Sequence, residues 1–150
     1  MRQMIVALVA AAMMAWSGLT ALADDRGTPE EAKAMVEKAA ALLKAEGPEK
    51  AFPQFNDQKG PFHDRDLYVF VQNRDAVNVA FGGNPALLGK NVGNLKDVDG
   101  KPFIRDMQAV KDRGSVEYKF INPETKAVET KISYVIWVND YLVGVGAYKN

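Results

Sequence analysis

The chain has 150 residues, balances 19 basic against 19 acidic side chains, and holds one histidine and no cysteine. These numbers exclude a disulfide framework, a thiolate metal site and covalently attached haem, and the absence of any basic run excludes a nucleic-acid footprint. The length suits one domain whose core can stand without covalent staples.

At the N-terminus, Arg2 precedes an apolar run from Ile5 to Trp16, then Ala21-Leu22-Ala23 and Asp24-Asp25. This pattern predicts a signal peptide, residues 1–23, cleaved after Ala23. Ser17, Gly18 and Thr20 cut the run short of the ~20 apolar residues that span a bilayer. An uncleaved N-terminal anchor is the alternative. No second apolar span follows, so residues 24–150 are expected as one domain, periplasmic or secreted, with no membrane span after cleavage.

Thr28-Pro29-Glu30-Glu31 opens a helix, with Thr28 as cap, Pro29 at the first helical position and Glu31 completing a capping box. Ala32, Met35, Val36, Ala39, Leu42 and Leu43 give it an apolar stripe to about Ala45, and Gly47-Pro48 ends it. Lys50 to Phe55 can add a turn before Pro53 distorts it. From Leu67 to Val71 the pattern is that of a buried strand. Asn73-Arg74-Asp75 turns the chain into a second strand, Ala76 to Phe81, which Gly82-Gly83-Asn84-Pro85 stops. A long connection from Ala86 to Gly100 leads to a helix from Pro102 to about Lys111, facing inward through Phe103, Met107 and Val110 and ended by Gly114. Three strands close the chain: Ser115 to Ile121, Glu129 to Val138 and Tyr141 to Tyr148, joined by turns at Asn122–Thr125 and Asn139-Asp140. The expected fold is α+β: a five-stranded antiparallel sheet, a long N-terminal helix, and a helix between strands 2 and 3.

Chemistry-bearing residues are sparse. His63 stands alone, beside Asp64 and Asp66; one histidine cannot build a zinc site, and a weak cation site or a plain exposed loop both fit. Asp97, Asp99 and Gly100 match only part of a calcium loop, since Pro102 and Gln108 occupy the places of its glycine and glutamate. There is no nucleophile elbow and no phosphate-cradling loop. No catalytic residue, metal or cofactor is therefore assigned, and the chain is expected not to be an enzyme. The aromatics offer more. Tyr68 and Phe70 share a strand face, as do Tyr118 and Phe120, and Tyr134 and Ile136. Each tyrosine suits a pocket wall or ordinary core, and Phe70 and Phe120 read as core. Lys131 shares a face with Ser133, Val135 and Trp137, where it can neutralise a ligand carboxylate or be solvated at an edge. Arg105 is the rival cation, bidentate by nature, but it falls on the outer face of its helix.

Asp66-Leu-Tyr-Val-Phe70, Asn84-Pro-Ala-Leu-Leu-Gly89, Asp97-Val-Asp-Gly100, Lys131-Ile-Ser-Tyr134 and Gly144-Val-Gly146, in that order, resemble the single Cache domain, an extracytoplasmic PAS-like sensor module. The resemblance implies a pocket between one sheet face and the connection after the second strand, and a small organic acid or similar metabolite as ligand. It also implies that Lys131 lies on a central strand, and that chemotaxis or signal transduction is the setting. Tyr68, Tyr118, Lys131, Tyr134 and Arg105 are the expected ligand-binding residues. No transmitter follows Asn150, so action through a separate membrane receptor or kinase is expected. The alternative is a protein-interaction subunit of a receptor or transporter with a vestigial pocket.

Overall fold

The computed structural model describes residues 26–149; the expected signal peptide lies outside them. Helix α1 spans Pro29–Glu46, and both arms of its capping box form, with Glu31 N–H donating to Thr28 Oγ1 at 3.1 Å and Thr28 N–H to Glu31 Oε2 at 2.8 Å. Gly47 then takes φ +80°, a value that favours glycine, and Pro48 starts α2, Pro48–Asn56. Helix α2 continues through Pro53, further than the sequence suggests, because Ala51 and Phe55 are fully buried under it.

The strands are β1 His63–Asp64, β2 Leu67–Gln72, β3 Asn78–Phe81, β4 Arg113–Ile121, β5 Val128–Val138 and β6 Tyr141–Tyr148. All pair antiparallel in the order β1-β2-β6-β5-β4, with β3 also on β2. The sheet thus has six strands rather than five. The extra one, β1, is two residues long and pairs only His63 and Asp64 with Tyr68 and Leu67. Strand β3 starts two residues later than the hydrophobic pattern suggests. Ala76 has φ +59° and Val77 bridges Asn91 instead, so neither extends the ladder on β2. Helix α3, Phe103–Gln108, is likewise shorter than expected. Ala109 and Val110 close the last turn on Arg105 and Met107, and the chain enters β4 at Arg113, opposite Ile136.

The sheet is buried on both faces at β2 and β6, which is why β2 is a run without charge ending in one glutamine, whereas edge strand β4 alternates with solvent. Odd-numbered β2 residues Leu67, Val69 and Val71 meet α1 and α2 through Ala32, Val36, Ala39, Leu43 and Phe55. Even-numbered Tyr68 and Phe70 face the other way, under the segment from Gly82 to α3. Strand β6 follows the same rule. Val143, Val145 and Ala147 pack toward the helices, while Leu142, Gly144, Gly146 and Tyr148 alternate onto the opposite face.

Candidate functional site

Register places Lys131 on β5 with Tyr118 of β4 on one side and Tyr148 of β6 on the other, so its strand is central. It is 1% exposed. Its side chain crosses β6 at Gly146, where a Cβ would stand 2.3 Å from Lys131 Cε and 2.4 Å from Ser133 Oγ. Beyond that notch Nζ donates to the Tyr68 hydroxyl at 2.9 Å. It also lies 4.3, 4.9 and 5.4 Å from the ring centres of Tyr68, Tyr148 and Phe120. Gly144 makes a second notch, filled by the Phe70 ring, which a Cβ would approach to 2.1 Å. The two glycines of β6 therefore exist to let side chains of β2 and β5 lie across the strand between them.

Burial lowers the Lys131 pKa from 10.5 to about 7, with Asp66 opposing the shift. Asp66 is itself buried, accepting from Gly27 N–H at 2.7 Å and from Asn122 Nδ2 at 3.3 Å. No carboxylate among the described residues pairs directly with Lys131. Burial raises the Tyr68 and Tyr118 hydroxyls above their usual value, so both stay neutral. Tyr118 is held by a 2.9 Å hydrogen bond with Ser133 and by stacking on Phe103, ring centres 4.4 Å apart and 4° from parallel.

These groups line a small, half-open chamber between the sheet and the connection. Its polar lining is Lys131, Tyr68 and Tyr118 together with Gln72 and Asn78; Phe70, Phe103, Ile104, Met107 and Phe120 are among its apolar walls. The free volume is about 30 Å³, room for roughly two waters at 10–15 Å³ each. An outer cleft of about 390 Å³ shares Tyr68, Phe81, Leu87 and Phe120 with the chamber. It is bounded by Gly83–Pro85 and by Ile121, Pro123 and Lys126 of the β4–β5 hairpin.

The chamber brings together three of the five expected ligand residues: Tyr68, Tyr118 and Lys131. Tyr134 lies on the opposite face of β5, packed toward α1, with Lys33 Nζ 5.0 Å above its ring. Arg105 points outward from α3 and donates to Asn94 Oδ1 at 2.9 Å. Phe70 and Phe120, read as core, do belong to the core on this face and also wall the chamber. Gln72 and Asn78 were not foreseen. Gln72 carried a signal: it is the one amide in the buried strand and shares the parity of Tyr68 and Phe70. His63 is half-buried, and no cluster of three metal-ligating side chains occurs among the described residues.

An α+β domain that closes a small chamber against one face of a central antiparallel sheet, with a buried cation in the wall, has the form of a ligand-binding sensor module. The sequence matches the family Single Cache domain 2 over residues 3–150, and the chain belongs to that family. Three solved structures share the fold. A methyl-accepting chemotaxis protein from Vibrio parahaemolyticus RIMD 2210633 is 21% identical over 79% of this chain and 86% of its own, with TM-score 0.67. A Cache chemosensory domain described for carboxylic acid recognition is 23% identical over 81% and 92%, with TM-score 0.66. The periplasmic sensor domain of a chemotaxis protein is 21% identical over 81% and 90%, with TM-score 0.60. No curated protein matches the sequence.

Proposed function

We propose that residues 24–150 form an extracytoplasmic receptor for a short carboxylic acid, freed by removal of residues 1–23 and acting through a separate membrane receptor or kinase rather than as an enzyme. The observation that carries this reading is Lys131, an amine buried among rings and hydroxyls with no directly paired carboxylate among the described residues. An unpaired buried ammonium is costly, and an entering carboxylate supplies the missing anion. Lys131 and Tyr68 can then bind it through charge-assisted hydrogen bonds. The carboxylic acid recognition described for a Cache chemosensory domain of the same fold supports this ligand class. The chamber lining contains an amine, hydroxyls, amides and rings, a set of donors that suits a bound carboxylate.

The test is a thermal-shift screen of short carboxylates against wild type and Lys131→Met. A ligand at 100 times its Kd should stabilise wild type by about 2.7 kcal/mol. The variant should fold with a melting temperature no lower than wild type at neutral pH and show no acid-induced shift. Normal acid binding by Lys131→Met would move the anion site elsewhere, with the backbone amides near Gly82-Gly83 next in line.

The small free volume favours a second reading, a protein-interaction subunit whose pocket is filled by its own side chains. Cross-linked pull-down from periplasmic extract separates the two. No partner under any condition, together with a positive acid screen, eliminates the second.

A further inference from the structure

Asn78 is 1% exposed and pairs with Gln72, on the chamber side of the sheet. Its N–H donates to the Lys90 carbonyl at 2.9 Å, and its carbonyl accepts from Gly89 N–H at 2.7 Å. Its Nδ2 donates to the Leu87 carbonyl at 3.1 Å. That last bond fixes the amide's orientation, because a carbonyl oxygen can only accept. Oδ1 is left buried, in a residue that lines the chamber, with no donor among the described residues. Buried acceptors are rarely left unmatched, and an orphan in the wall of a chamber with room for water is a place where a water or a ligand donor binds.

We infer that Asn78 Oδ1 is the second recognition point of the chamber, and that the ligand is a short hydroxy acid whose hydroxyl donates to Asn78 while its carboxylate meets Lys131. This rests on the carboxylate reading of Lys131. A ketone or ether presents only lone pairs to Oδ1. An ammonium would be buried without a counter-charge, since the lining holds no carboxylate. A hydroxyl supplies one donor at no charge cost. Its position on the carbon chain follows from the ladder. Tyr68, beside Lys131, and Gln72, opposite Asn78, are four residues apart on β2, two same-face steps along the strand, so the Lys131 and Asn78 side chains enter the chamber from different ends. Phe70, Phe103 and Met107 make the wall between. The hydroxyl therefore belongs at the far end of the chain from the carboxylate. The same amide holds Leu87 of the connection, so a hydroxyl on Oδ1 polarises and strengthens that bond.

The experiment is calorimetric titration near pH 6 with isosteric pairs: 3-hydroxypropionate against butyrate, and 4-hydroxybutyrate against pentanoate. At least one hydroxy acid should bind about tenfold tighter than its partner. Asn78→Leu should erase that preference by weakening the hydroxy acid while still binding the alkyl acid. Equal affinity within both pairs overturns the inference. Should Asn78→Leu fail to fold, 4-methoxybutyrate decides on wild type: it keeps the oxygen and loses the proton, and binding as tight as 4-hydroxybutyrate overturns the inference. Should no acid bind, the carboxylate reading fails by itself. Asn78 is then probed by the shift of its side-chain amide in NMR with 1-butanol against diethyl ether. A shift with the alcohol alone supports the donor site; an unmoved amide rejects it.

Discussion

The side chain that most constrains function is Lys131, and its burial has consequences that can be read with pH. The folded amine loses its proton near pH 7 and the unfolded one near 10.5. Between those values the unfolded chain holds a proton that the folded chain has released. Stability must therefore rise with pH across that window, by at most about 1.4 kcal/mol per unit for one proton, and the full penalty applies below about pH 7. Urea midpoints from pH 7 to 10 should show this slope in wild type and lose it in Lys131→Met. The variant should also be more stable at pH 7, by about 1–4 kcal/mol, as is common when a buried charge gives way to an apolar residue of similar volume. A flat wild-type profile would mean that the amine is already ion-paired. Acid binding runs in the opposite sense, because it needs the ammonium. Above about pH 7 the free protein must take up a proton to bind, so affinity should fall by up to tenfold per unit. Proton uptake is measurable by titration in buffers of different ionisation enthalpy. Lys131 was a candidate in the sequence, but alternation alone left it open between a ligand cation and a solvated edge residue, and its central strand came from the resemblance to the Cache domain. Tyr134 illustrates the opposite case: positions 131 and 134 differ in strand parity and cannot both face one chamber. Periodicity shows that the two faces differ, and only the packing of α1 shows which one is covered.

Among the elements, β6 does the most to shape the site while contributing few side chains to it. Its chamber face reads Leu142, Gly144, Gly146, Tyr148, and the two glycines are the only positions where neighbours can cross. Gly144→Ala puts a methyl inside the Phe70 ring, whose one retreat is into the small chamber it lines. A loss of about 1–3 kcal/mol is expected for such overpacking. Gly146→Ala meets the flexible Lys131 stem instead, so its first effect should be on Nζ position and hence on acid binding. Denaturation midpoints and ligand shifts measured on both variants should separate the two effects. If Gly146→Ala keeps full acid binding, the lysine does not reach the ligand over β6. Most elements were legible in the sequence. The α1 capping box, the β4–β5 and β5–β6 hairpins and the run of β2 announce themselves by local chemistry that tertiary contacts do not override. The misses have local causes too. Ala76 in the left-handed region trims β3, and β1 is too short to produce any alternation.

At the scale of the molecule, the sheet separates two cores of different character. The helix side joins α1, α2 and four strands, β2, β3, β5 and β6, with the first described residues tied in by Gly27 on Asp66 and by Arg65 on the Arg26 carbonyl at 2.8 Å and on Glu31 at 2.7 Å. The opposite core depends on the connection from Gly82 to α3, much of it outside regular elements, attached to β3 through Asn78 and to β4 through Asp97. Backbone amides of Lys119 and Lys101 hold the Asp97 carboxyl below its usual pKa, so this second tie stays charged through the neutral range. A chamber with about 30 Å³ free is smaller than any acid of four or more heavy atoms. A bound acid therefore requires the chamber to widen, and the wall opposite the sheet is the connection, not the helix layer, which has no share in the chamber lining. Regions with little regular structure open at low free-energy cost, and a ligand that bridges Lys131 to Asn78 closes this one again. Amide hydrogen exchange should accordingly slow between residues 82 and 107 when a short acid binds, with α1 and α2 unchanged. Protection spread evenly over both cores would instead indicate global stabilisation without a moving connection. Asp97→Ala should widen the difference between free and bound exchange in this segment, because it releases the tie to β4 while leaving Lys131 and Asn78 in place.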